Sequence, residues 1–129
     1  MKMTNLLPVA GLVLLLGPLV TAGTEPLLKR PSAKEVARVN PYQQLDPLQR
    51  ERAAKAGQKL FRHECASCHG QSAEGTQIAP ALVAPTLSQS SSGALFWVLR
   101  NGNLRRGMPS FAHLPDQQRW QIVTYLKTL

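Results

Sequence analysis

The chain has 129 residues, with 15 lysines and arginines against seven aspartates and glutamates, a formal charge of +8. That length admits one domain of modest size. The basic balance suits a polyanion, but no nucleic-acid recognition motif accompanies it, so nucleic-acid binding is set aside.

Residues 1–22 open with Lys2, continue in an almost wholly apolar run from Leu6 to Val20, and close on the small residues Thr21 and Ala22. This is the layout of a secretory signal peptide. The alternative is a retained membrane anchor, but the run is shorter than the roughly 20 residues a span needs and is broken by Pro8, Gly11, Gly17 and Pro18. Export to the periplasm with cleavage near Ala22 is therefore expected, leaving no membrane span. Removal of Lys2 leaves 14 basic and seven acidic residues, a charge of +7. In an exported chain such charge steers encounters toward acidic partner surfaces.

Residues 23–46 carry Pro26, Pro31 and Pro41 without sustained periodicity, which predicts an extended arm or linker, with "RVNPY" able to fold over the domain surface. The domain proper is expected over 47–129. Asp46 can cap a helix whose first turn takes Pro47, and Leu48, Ala53, Ala56, Leu60 and Phe61 recur at helical spacing. Gly57 inside this helix costs about 1 kcal/mol relative to alanine, which a close helix crossing would explain. From Gly70 to Ser90 there is no period, a loop long enough to need something else to order it. Ser91 or Ser92 caps a short helix, "GALFWVLR", stopped by Asn101-Gly102. A second loop, "NGNLRRGMPSFAHL", precedes a last helix opened by Pro115 and Asp116. No stretch alternates with period two for long enough to make a strand. The expectation is all-α, three to five short helices with long loops. Its apolar side chains are few for a domain of that size, as though the centre of the core were to be supplied by something else.

Both cysteines of the chain lie in "FRHECASCHG", as Cys65-Ala66-Ser67-Cys68-His69. A disulfide across two residues would restrict the unfolded chain little. Tetrahedral zinc needs four ligands, and no second close pair is present; His63 and His113 would have to be recruited separately. A thioredoxin-like dithiol wants a βαβ setting that the pattern lacks. The remaining reading is covalent attachment of one haem c. Two thiols on one helical turn reach the two vinyl groups on one porphyrin edge, and the adjoining His69 presents its imidazole to the iron. The mature chain has one methionine, Met108, set between Gly107 and Pro109, residues that let the backbone approach a flat surface and then stiffen it. Met108 is the expected second axial ligand and His113 the rival. Histidine with methionine leaves the iron no open position and favours the ferrous state, an arrangement for passing electrons.

Residues 47–129 resemble the class I c-type cytochromes, most strongly in "CASCHG" followed by "NG" and "GMPSF". Gly57 and Phe61 are similar to that family's Gly-x-x-x-Phe, and Tyr125-Leu126 to the aromatic-aliphatic pair on its last helix. The resemblance implies a cytochrome c fold in which these two helices cross tightly. It further implies that "APAL" supplies the Pro80 carbonyl to the other nitrogen of His69, although Pro85 is a second candidate. Trp97 is expected either to border the haem and donate to a propionate or simply to pack. Arg105 and Arg106 are read as propionate partners, partner-facing cations or plain solvated arginines. The segment "LFWVLRNGNLRRGMPSF" is similar to small bacterial cytochromes associated with periplasmic dehydrogenases or terminal oxidases. The implied function is a monomeric, non-enzymatic one-electron carrier. Its protein partners would be a periplasmic dehydrogenase as donor and an oxidase or another cytochrome as acceptor. The alternative is a haem-based sensor or peroxidase with an open or weakly held sixth position.

Overall fold

The computed structural model describes residues 30–83 and 85–129; the expected signal peptide and residues 23–29 lie outside the described residues. Within them the chain is helical, with no strand. Helix α2 runs Pro47–Glu64, capped by the Asp46 carboxylate, which accepts from the Gln49 amide at 3.0 Å. Helix α1 (Ala33–Val36) precedes it and α3 (Ala66–His69) follows directly. Then come α4 (Thr86–Gln89), α5 (Ser92–Asn101) capped by Ser91, and α6 (Asp116–Leu126). Two 3-10 turns, Pro41–Gln44 and Leu104–Arg106, complete the described elements.

The crossing of α2 and α6 organises the molecule. Ala53, Gly57 and Phe61 recur every four residues, so they form a single buried stripe on α2. The stripe faces Trp120, Ile122, Val123, Tyr125 and Leu126, all buried on α6. Backbone meets backbone at Gly57: a Cβ there would stand 1.9 Å from the Gln121 carbonyl oxygen. One turn on, the Phe61 and Tyr125 rings pack with centroids 5.4 Å apart. Helix α5 closes the core from the side through Phe96 and Leu99, with the Phe96 and Trp120 rings stacked at 4.1 Å.

Residues 30–46 differ from the expected extended arm. Ser32 and Glu35 form a reciprocal capping box that starts α1, and Asn40 caps the following 3-10 turn. Asn40 is 1% exposed, and its amide donates to Thr124 Oγ1 at 2.9 Å on α6. The Arg38 guanidinium lies 4.3 Å above the Phe96 ring and 3.6 Å from Asp116. Gly93 on α5 is where the arm presses closest, a Cβ there meeting the Glu35 carbonyl at 2.1 Å. Proline and polar content locally disfavour long helices, but long-range contacts of this kind order the segment as a belt across α5 and α6.

Because the α2–α6 contact leaves no room for a methyl group, Gly57→Ala forces the helices apart. We expect a loss of about 3 kcal/mol. Gly107→Ala, with φ +79° but open space around it, should cost only about 1 kcal/mol of backbone strain. Denaturant titration of the two variants beside the parent measures both.

Candidate haem-attachment site

The site grows from the end of α2. Cys65 terminates that helix and starts α3, its amide bonded to the Phe61 carbonyl at 2.8 Å. The amides of Cys68 and His69 both bond the Cys65 carbonyl, at 3.1 and 3.0 Å. Cys65, Cys68 and His69 thus share one turn, at the i, i+3 and i+4 positions that line one helix face. The two thiols are not joined to each other. Burial, reinforced by the nearby Glu64 charge, pushes the Cys65 thiol up to about 12. A redox dithiol needs a low-pKa, accessible thiolate, and Cys65 is the opposite.

Beyond His69 the chain doubles back. Gly70 takes φ +82°, and the Glu74 carboxylate folds in beside it to accept from the Ser72 amide at 2.7 Å. Hydrogen bonds from backbone amides, its own first, hold the Glu74 carboxyl below the usual range. Ala73 adopts the left-handed region at φ +63°, and the Gly75 amide returns to the His69 carbonyl at 2.7 Å. Thr76 then pins the loop, donating its hydroxyl to the Cys68 carbonyl at 2.6 Å while accepting from the Ile78 amide. These turns deliver the Pro80 carbonyl to His69 Nδ1 at 2.9 Å. A carbonyl only accepts, so Nδ1 carries the proton and the Nε2 lone pair is left for a hydrogen-bond donor or a metal. Pro85 serves elsewhere, its carbonyl taken by the Ser88 hydroxyl and the Gln89 amide.

Met108 is half-buried against the core cluster. Its amide and carbonyl both pair with Asn103, at 3.1 and 2.9 Å, closing the intervening loop. Gly102 makes this possible: a Cβ there would meet the Met108 and Pro109 carbonyl oxygens at 2.7 Å. The next residues are tied down in turn. The Phe111 amide bonds the Leu99 carbonyl at 2.8 Å, and the buried Arg119 guanidinium donates to the Phe111 carbonyl at 3.2 Å. His113 is exposed and stands 3.8 Å from Glu64, whose other oxygen pairs with His63 at 2.9 Å. Trp97 lines a crevice with Glu35, Arg38, Gly93, Phe96 and Arg100 on the arm side of α5.

These donors fit a haem better than a metal ion alone. Among the described residues no group of three or more histidines, cysteines or acids is gathered to hold a metal. What is gathered is a pair of unjoined thiols on one turn and an imidazole oriented through Nδ1 with Nε2 unengaged. Thr76, Gly75 and Arg119 were not singled out from sequence as site residues, because each acts through a backbone carbonyl that no side-chain motif announces.

The family model described as cytochrome c oxidase, cbb3-type, subunit III matches residues 52–126, more than half of the chain. The protein is a class I c-type cytochrome. Among solved structures, the cytochrome is similar to cytochrome cL from the marine methylotrophic bacterium Methylophaga aminisulfidivorans MPT. The identity is 28% and the TM-score 0.52, over 60% of this chain. This cytochrome spans about half, 53%, of the length of that one. No protein of curated function matches the chain. The all-α cytochrome c fold is shown by the helices and by these matches together. Membership of the family implies haem c and electron transfer. No helix among the described residues is long and apolar enough to cross a membrane.

Gly75 has φ +83°, and a Cβ on it would stand 2.4 Å from the Ala81 amide nitrogen. Gly75→Ala should therefore push the Pro80 carbonyl away from His69. We expect the Nδ1 proton of the ferrous holoprotein to exchange with solvent roughly tenfold faster, the loss of one hydrogen bond's worth of protection, as read by NMR.

Proposed function

We propose that this cytochrome is an exported one-electron carrier holding one covalent haem c. In this reading Cys65 and Cys68 form the thioethers, and His69 Nε2 and Met108 are the axial ligands. The observation that carries it is the His69–Pro80 hydrogen bond on the same turn as both thiols. It fixes the tautomer, leaves the Nε2 lone pair for the iron and makes the imidazole a stronger ligand. Bound there, the haem supplies one iron that accepts and returns a single electron.

The chain's own residues do the rest. Cys65 and Cys68 hold the cofactor against loss in an open compartment. Asn103, Gly102 and Arg119 hold the Met108 segment in place from behind, so little needs to move when the iron's charge changes. Trp97 lies beside the arm, which favours packing over a haem-border role. Export, a dehydrogenase donor and an oxidase or cytochrome acceptor complete the proposal. They are supported by the signal-like leader, the net positive charge and the similarity to a bacterial cytochrome cL.

A haem sensor or peroxidase with an open sixth position is the other reading. His113 is exposed, whereas Met108 is half-buried against the core on a loop anchored at both ends, so Met108 is favoured as the ligand. The ferrous parent should bind carbon monoxide slowly if at all at neutral pH, and His113→Ala should behave like the parent. Met108→Ala should bind carbon monoxide rapidly and have a lower reduction potential. Stopped-flow spectroscopy and potentiometry check this, and rapid binding by the parent would move the assignment to the open-site reading.

A further inference from the structure

The loop closed by the Asn103–Met108 pair carries a tip that the rest of the molecule does not use. Two backbone hydrogen bonds between these residues form its base, and the tip is the 3-10 turn Leu104–Arg106 followed by left-handed Gly107. A Cβ on Gly107 would meet nothing within 4 Å. Leu104 is 77% exposed, the most exposed large apolar side chain among the described residues. Arg105 and Arg106 beside it are exposed and make no side-chain hydrogen bond or ion pair among the described residues. A lone surface leucine is ordinary. This one sits on a turn held by the Arg106 and Gly107 amides, which bond the Asn103 and Leu104 carbonyls at 2.9 and 3.0 Å, so its backbone is already ordered. Ordering that precedes contact lowers the cost of binding.

We propose that Leu104–Arg106 is a docking knob for an acidic redox protein. Leu104 enters an apolar socket on the partner, and Arg105 and Arg106 pair with carboxylates at its rim. The proposal rests on the reading of Met108 as an iron ligand, because the knob is joined to that residue by the loop's own base. A partner seated on the knob is thereby placed at the ligand loop. Charge argues for an acidic protein: a second copy would set like arginine pairs against each other, whereas planar guanidinium groups match carboxylates two bonds at a time. One leucine and two exposed cations give a weak, quickly released contact, which repeated encounters require.

The test is voltammetry of the holoprotein on gold coated with a mixed monolayer of carboxylate-ended and methyl-ended alkanethiols, as a defined acidic and apolar surface. Leu104→Ser should weaken adsorption roughly tenfold or more. Arg105→Gln/Arg106→Gln should weaken it a few-fold. Arg52→Gln/Lys59→Gln removes the same charge from the exposed face of α2 and should matter less than the loop pair. Wild-type behaviour of Leu104→Ser, or an α2 variant as weak as the loop variant, would overturn the knob in favour of diffuse charge. Leu104-dependent binding to phosphatidylglycerol vesicles, or Leu104-dependent self-association in sedimentation, would overturn it in favour of lipid or a second copy. The far-red absorption band of thioether-ligated ferric iron separates the two claims. If the band is present and Leu104→Ser adsorbs normally, docking alone fails; if it is absent from the parent, the Met108 reading fails and takes the knob with it.

Discussion

The approach of α6 to α2 at Gly57 is the constraint on which the rest of the structure depends. Only a residue without a side chain lets the Gln121 carbonyl come so near, and that nearness seats Phe61 against Tyr125 one turn later. The next turn is the end of α2, so the position of Cys65 follows from the crossing. From Cys65 the single turn of α3 sets Cys68 and His69 on one face. A chain of backbone hydrogen bonds thus carries helix packing into the placement of the two thiols and the imidazole.

The two loops that complete the site are ordered differently from the helices. They bury Ala73, Phe111 and Leu114 in the core and are further held by polar contacts to carbonyls: Thr76 to Cys68, His69 to Pro80, Arg119 to Phe111. Lys127 does the same for the end of α4, donating to the Leu87, Ser88 and Ser90 carbonyls. Such contacts fix geometry while each contributing only about 1 kcal/mol net.

Much of this was legible in the sequence because its causes are local. Asp46-Pro47 and Ser91 announce helix starts, Asn101-Gly102 announces a stop, and the recurrence of Leu48, Ala53, Ala56, Leu60 and Phe61 announces α2, although of these only Ala53 and Phe61 are buried and Leu48 is 56% exposed. Gly57 was legible as a penalty needing an explanation, and the crossing is that explanation. The arm was not legible, since Asn40 finds Thr124 across 84 residues and Arg38 finds aromatic rings on α5 and α6. Its prolines signal only what the backbone avoids locally, not what distant side chains impose. The choice of Pro80 over Pro85 came from the resemblance and not from local chemistry, because it turns on where a left-handed Ala73 and Gly75 send the chain.

The account stands on covalent attachment at Cys65 and Cys68. The most direct measurement is the mass of the peptide containing both residues, taken from protein matured in a periplasm and extracted with acidified acetone. One haem should remain bound to that peptide through two thioether bonds. A peptide at its bare polypeptide mass would contradict the assignment and, with it, the electron-carrying role.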